Sequence, residues 1–397
     1  MARKRCNGEG YIGKLNDGRW GARITCGYNS KGKQAFKYFS AKTQQGVSEK
    51  LSKYIESKRN GTYIEMNSWS LEKWLDYWYL NHSVGKTRTS TRVNDESIIN
   101  HHLNPRLGKI KLQELKGVQI QQVYNQLLEN GRVDKRGGLS PKTIKNVHVV
   151  LHRALEQAVK DELIIKNPLN SVTLPRMNKV SIEILSPDEQ KRLQEVCTPE
   201  HPWNMAILLT LYSGVRMGEL LGLTWDVVSF EKNNIRINKQ VNRLKNYDKD
   251  AKSKTKLALR NETKTEHSER TIMIAPVIMQ KLKEYKESQE AYGKGIGKDF
   301  NKHNLVFSRY DGDLVDPATF RDHYLRTLKK ANISPKSFHA LRHTFATRAL
   351  ETNVNIKVVS EILGHATIQI TLDTYSHVSL DQQEDAMQRI ADNFFII

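Results

Sequence analysis

The sequence predicts a multidomain chain: a small N-terminal three-stranded β-sheet plus helix, a four-helix domain, and a mainly α domain carrying a small β-sheet. Three observations predict this. At 397 residues the chain exceeds what one ordinary core serves, so two or three domains are expected. Apolar residues alternate singly near the start and recur at helical spacing after Gly61. The stretch NPLNSVTLPRMNKVSIEILSP, from Asn167, holds three prolines and no long period, which suits an extended linker. The boundaries that follow are 1–62, 66–172, a linker over 173–184, and 185–397.

In the first domain, GYIGKLNDGRWGARITCGY puts Trp20, Ala22, Ile24 and Cys26 on one side and Arg19, Arg23 and Thr25 on the other, with Asn16-Asp17-Gly18 as a turn. A second turn at Asn29-Ser30-Lys31-Gly32 leads into KQAFKYFSA, and a helix follows over residues 43–58. The basic outer face has the form a β-ribbon needs to lie in a DNA groove, with Arg19, Arg23 and Lys37 as candidate contacts. The alternative is a charged face that is merely solvated.

The second domain rests on two apolar stripes. Leu71, Trp74, Leu75 and Trp78 fall at i, i+3, i+4 and i+7, and Ile144, Val147, Leu151, Ala154, Leu155 and Ala158 form the other. Ser140-Pro141 supplies the second stripe with an N-cap and a first-turn proline. Helices near 88–103 and 117–129 complete the four, and the tryptophans are read as core. The linker that follows would let two domains close around a duplex.

Residues 183–397 are mainly helical, with β-type stretches at 234–244 and 270–274. Between these, NYDKDAKSKTKLALRNETKTEHSE is highly charged and apolar-poor, which predicts that its middle is a mobile loop between strands. No internal repeat is visible.

Charge narrows the partners. There are 63 Lys and Arg against 43 Asp and Glu, a net +20, and residues 1–60 alone hold 14 against 4. Such an excess points to nucleic acid, because neutralising phosphates releases counterions. From Ser376 the sign reverses, with Asp381, Glu384, Asp385 and Asp392 against Arg389. No run approaches the roughly 18 apolar residues of a membrane span, and MARKRCNGEG has no apolar run to act as a secretory signal, so a cytoplasmic, nucleoid-associated protein is expected. Cys6, Cys26 and Cys197 are isolated thiols, suggesting neither a zinc cluster nor a disulfide framework.

Four separated segments carry the chemistry. LTLYSGVRMGELLGLTWDVV has Arg216 at the start of a helix, and ETKTEHSERTIMI is a basic turn with Lys264. FHALRHTFAT puts His339 and Arg342 at i, i+3 on one helix face. ILGHATIQITLDTYSHV places Tyr375 ten positions after His365. Alone, an HxxRH helix or a late tyrosine says little; together and in this order they form one signal. Off the shared face, His343 is read as structural, His377 as a surface residue, and Glu219 as a buried partner orienting Arg216.

In these segments the chain resembles the tyrosine recombinases, or phage-type integrases, whose pattern is an Arg in a TGLRxxEL-like segment, a Lys on a β-hairpin, HxLRH, LGH, and then a Tyr. YSGVR departs from TGLR but keeps Gly214, Arg216, Glu219 and Leu220. Lys252, Lys254 and Lys256 lie near Lys264, which is preferred because it directly precedes SERTIMI. The resemblance covers the whole chain and implies, in order, an arm-type DNA-binding domain, a core-binding domain and a catalytic domain, most like those of conjugative transposon integrases. It also implies a homo-tetramer on double-stranded DNA with core and arm sites, strand exchange through a Holliday junction, and an excisionase or host DNA-bending protein as a further partner.

The need for these residue types can be stated physically. Displacement at a phosphodiester builds negative charge on the non-bridging oxygens, which fixed donors must meet. Two guanidiniums suit this task, giving roles to Arg216 and Arg342, with His339 and His365 completing the cage. A phenol titrates near 10, so Tyr375 needs positive surroundings or a base to attack. By resemblance, Lys264 protonates the leaving 5′-oxygen and His339 assists proton transfer at the tyrosine. The product is a 3′-phosphotyrosine that a 5′-hydroxyl can reverse. Because that ester retains the free energy of the broken bond, no ATP or metal is expected to be required, which agrees with the absence of a Walker loop or a convincing carboxylate cluster.

In the acidic tail, Leu380, Met387, Ile390 and Phe394 share a helical stripe, and the resemblance implies docking in trans on a neighbouring protomer. Folding back on its own domain is the alternative. Two other functions stand beside integration and excision. One is a resolving recombinase of the chromosome-dimer type or a relaxing topoisomerase; the other is a DNA-binding protein with a decayed site.

Overall fold

The computed structural model describes residues 10–28, 33–59, 69–85, 87, 89–177, 182–199, 201–246, 255–261, 269–297, 300–372 and 374–375. Two compact units result, Met1–Asn178 and Lys179–Ile397.

The first unit opens with β1 (Tyr11–Lys14), β2 (Trp20–Tyr28) and β3 (Gln34–Ala41), antiparallel in the order β1-β2-β3. Gly18, at φ +84°, lets the first turn close, with Leu15 N–H donating to Arg19 O at 2.7 Å. The turn expected at 29–32 lies outside the described residues. Ala22 pairs with Phe39 and Ile24 with Lys37, so these four share a face. α1 (Gln44–Arg59) covers that face, burying Val47, Leu51 and Tyr54 against Ala22 and Ile24.

The helical part has its own apolar core. α2 (Leu71–Trp78) runs on into a π-type turn, Tyr79–Ser83. α3 (Thr89–Ile98) continues through Ile99–Leu103 into α4 (Asn104–Leu107). α5 (Gly117–Asn130) and α6 (Pro141–Lys160) complete it. Ser140 Oγ caps α6 by accepting from Thr143 N–H at 3.2 Å. Both apolar stripes face inward. The core placement of the tryptophans holds, since Trp74 and Trp78 are buried and the Trp74 indole donates to Ala154 O at 2.9 Å.

The second unit contains α7 (Pro187–Val196), α8 (Pro202–Ser213) and α9 (Met217–Leu221), then β4 (Val228–Ser229), β5 (Asn234–Ile237), β6 (Lys239–Lys245), β7 (Thr255–Asn261) and β8 (Arg270–Met273). α10 (Pro276–Ile296), α11 (Pro317–Lys330), α12 (His339–Glu351) and α13 (Ile356–Leu363) follow. α8 is apolar nearly all round, so it runs through the middle of the core.

The mainly α fold with small sheets is the one expected, with two corrections in the β region. The stretch 234–244 breaks at Asn238, placing β5 in a three-stranded sheet of order β4-β5-β8 and β6 in a two-stranded sheet with β7. The middle of the charged segment, expected as a mobile loop between strands, contains β7. Leu257 and Leu259 alternate within it and pack on the core, and Leu259 pairs with Val241. Residues 247–254 and 262–268 of that segment lie outside the described residues. Among the described residues, no helix is long and apolar enough to cross a membrane.

Candidate active site

Three arginines converge on the end of α13. That helix stops at Gly364, whose left-handed φ of +62° leaves the last carbonyls open. Arg270 Nε donates to Ile362 O at 2.6 Å, Arg342 Nη2 to Leu363 O at 2.7 Å, and Arg216 Nη2 to Gly364 O at 3.0 Å. Helix C-termini carry partial negative charge, which explains why cations collect there. α8 supplies a second such end: Gly214, at φ +64°, terminates it and accepts from Arg342 Nη1 at 2.8 Å. Arg342, 2% exposed, is thus clamped between two helix ends, while the Arg216 side chain remains 39% exposed.

Glu219 orders this cluster. It accepts from Arg216 Nη1 and from Arg270 Nη2, each at 2.8 Å, and its Oε2 also accepts the Arg216 backbone N–H at 3.1 Å. Burial alone would raise its carboxyl, but the bonds and charges of Arg270 and Arg216 overcome this and hold it at about 2. Glu219 is therefore the expected buried orienting partner. Burial first, then the Arg216 charge, lowers Arg342 to about 9, which still leaves it cationic at neutral pH. Three guanidiniums against one carboxylate leave a net excess of two positive charges in this cluster. Each guanidinium has five N–H donors in a fork that matches a phosphate, so the arrangement is suited to an oxyanion.

Tyr375 lies beside this cluster. Its ring is 2% exposed and packs with Ala346, Leu350, Val359 and Leu363. Burial pushes its phenol up to about 12, against a lowering influence from the Arg342 charge. Tyr375 Oη and His343 Nδ1 share a hydrogen bond of 2.7 Å. His343, read as structural, therefore touches the phenol. Positions four apart on a helix share a side, and the His339 and His343 rings meet edge to face with centroids 4.6 Å apart. His365 Nδ1 and Thr371 Oγ1 share a bond of 2.7 Å, and burial, followed by the Arg342 and Arg216 charges, lowers His365 to about 4.

A family model described as the phage integrase family matches residues 183–382, half of the chain. The chain belongs to the phage integrase family. A second model, the phage integrase N-terminal SAM-like domain, matches residues 70–128. The chain is 30% identical over 382 residues to a tyrosine recombinase XerC-like protein of Caldanaerobacter subterraneus subsp. tengcongensis, covering 94% of this chain and 95% of the relative. Two solved structures are alike in fold. The Tn1549 transposon integrase in complex with transposon right end DNA matches with a TM-score of 0.66 at 23% identity, over 81% of this chain and 99% of that one. A λ integrase tetramer bound to a Holliday junction matches at 0.53 and 15%, over 94% and 96%.

Of the residues predicted for this integrase-family site, the fold brings Arg216, His339, Arg342, His365 and Tyr375 into one region built by α8, α9, α12, α13 and the helical residues 368–372 and 374–375. Lys264 and His377 lie outside the described residues, as does the tail. Arg270 and His343 were not predicted. Arg270 stands at the head of β8, and its partner Glu219 is 51 positions away, so no local pattern marks it.

The sheet candidates separate. Arg23 is on the open face, its guanidinium 4.7 Å from the Phe36 ring centre, beside the exposed Tyr11 and Tyr38. Arg19 lies at the end of the turn and pairs with Asp17 at 2.6 Å. Lys37 is on the face that α1 covers, its ammonium 5.4 Å from the Tyr54 ring centre. That placement corrects its assignment to the outer face; alternation along an isolated strand does not say which side a following helix takes.

Proposed function

We propose that this member of the phage integrase family is a site-specific DNA recombinase that integrates and excises a mobile element, with Tyr375 as nucleophile. One observation carries the reading: Arg216, Arg342 and Arg270 gather at the C-terminal carbonyls of α13 with Glu219 as shared counter-ion, next to a buried tyrosine. A scissile phosphate held by Arg216 and Arg342 would have its developing charge met by preorganised donors, and Arg342, fixed between two helix ends, would need little reorganisation. Tyr375 Oη attacks phosphorus, the 5′-oxygen leaves with a proton from Lys264, and a 3′-phosphotyrosine stores the bond for religation by a 5′-hydroxyl. His339 and His365 complete the donor set around the phosphate.

The same proposal assigns residues 1–62 to arm-type sites through the open sheet face, and residues 66–172 with 185–397 to the core site. Four protomers exchange strands through a Holliday junction, the tail after Leu380 docks in trans, an excisionase or DNA-bending protein assists, and the work takes place in the nucleoid. Support comes from the Tn1549 integrase solved on transposon DNA and the λ integrase solved as a tetramer. A nicked suicide substrate tests the chemistry. It should trap a covalent protein–DNA adduct that disappears in Tyr375→Phe, and an adduct that persists there would mean another nucleophile.

A further inference from the structure

We propose that His343 is the base for the nucleophile: its Nδ1 takes the proton from Tyr375 Oη as the phenol attacks phosphorus. The inference rests on Tyr375 being the nucleophile. The family resemblance directs attention to His339, but the 2.7 Å contact to Tyr375 Oη is made by His343, one turn further along α12. Among the described residues, Ala346, Leu350, Val359 and Leu363 share the ring's apolar cluster, and the His343 imidazole is hydrogen-bonded to its hydroxyl.

The imidazole is in the unprotonated form that can accept. Burial first, then the Arg342 charge, lowers His343 from its ordinary value, so the imidazole is neutral at physiological pH. With its proton on Nε2, Nδ1 accepts the bond that the phenol donates. Burial holds Tyr375 as a phenol, and the nearby Arg342 favours phenolate as it forms. In cleavage, the Oη–H proton passes to Nδ1, the Oη–P bond forms, and the P–O5′ bond breaks, with O5′ protonated by the acid proposed above. In religation the 5′-hydroxyl gives its proton back to that acid and attacks phosphorus, the Oη–P bond breaks, and departing Oη recovers its proton from His343. The exposed His339 ring, 4.6 Å from that of His343, lies next in line.

A purely anchoring role predicts something different, and the test separates the two. Single-turnover cleavage would be followed with the full chain on suicide substrates carrying either an ordinary phosphodiester or a 5′-bridging phosphorothiolate, whose thiolate leaves without an acid. In His343→Gln the amide oxygen can still hold the phenol but cannot take its proton. The variant should cleave both substrates about 100-fold or more slowly. It should also lose the titration that the wild type shows on the acid side of the ordinary histidine range, while DNA affinity and thermal midpoint stay close to wild type. In His343→Ala, added imidazole should restore part of the rate. A His343→Gln rate within about tenfold of wild type with an unchanged pH profile would overturn the proposal in favour of an anchor. Full rescue by the phosphorothiolate would also overturn it, placing His343 on the leaving group. Tyr375→Phe run in parallel keeps the questions apart: an adduct surviving there defeats the nucleophile assignment, whereas a normal adduct rate in His343→Gln alone defeats only this inference.

Discussion

Replacing Glu219 with Gln tests whether one carboxylate orders the arginine cluster. Gln mimics the protonated acid, keeping its shape and one acceptor while removing the charge that Arg216 and Arg270 share. Folding lowers the carboxyl from its reference 4.5 to about 2, despite burial that opposes the shift. That difference corresponds to about 3 kcal/mol at pH 7. Glu219 is 8% exposed, so solvent screening removes little of it. A depressed carboxyl contributes stability above its unfolded pKa and loses it as pH falls through the folded value. The gap between wild type and Glu219→Gln should therefore be about 3 kcal/mol at pH 7 and about 2 kcal/mol at pH 3.5. Urea unfolding of both proteins, followed by tryptophan fluorescence at the two pH values, measures it. A gap below about 1 kcal/mol at pH 7, or one that does not shrink in acid, would refute the reasoning.

Two further outcomes follow from the geometry. Arg342→Lys keeps a charge but cannot donate to both Gly214 O and Leu363 O while gripping a phosphate, so cleavage should fall by about 100- to 1000-fold with core-site affinity nearly unchanged in a gel-shift assay. On the sheet, Arg23→Ala should weaken arm-site binding and reduce the slope of log affinity against log salt by about 1, whereas Lys37→Ala, on the covered face, should leave that slope alone.

Where one face of an element is buried, the pattern was legible. The stripes from Leu71 and Ile144 and the alternation around Ala22 and Ile24 mark surfaces that had to leave water, and they face their cores as expected. β7 was hidden because Leu257 and Leu259 sit among lysines, and composition over a long window outweighs a short alternation. In the site, spaced motifs pointed to Arg216, Arg342 and Tyr375, since their chemistry needs those residue types. Arg270 escaped because its role comes from a pairing across 51 positions. His343 was set aside as lying off the face shared by His339 and Arg342, although a position four along from His339 falls on the same side of the helix. The side taken by Lys37 was fixed only by its register with Ile24.

In the proposed mechanism, Arg216 and Arg342 grip one phosphate in line with the phenol of Tyr375. A structure of the full chain on core-site DNA with vanadate at the scissile position tests it most directly. One vanadium bonded to Tyr375 Oη, with equatorial oxygens about 3 Å from both guanidiniums, is the predicted result. Vanadate bonded to another side chain, or the two arginines contacting different phosphates, would contradict it.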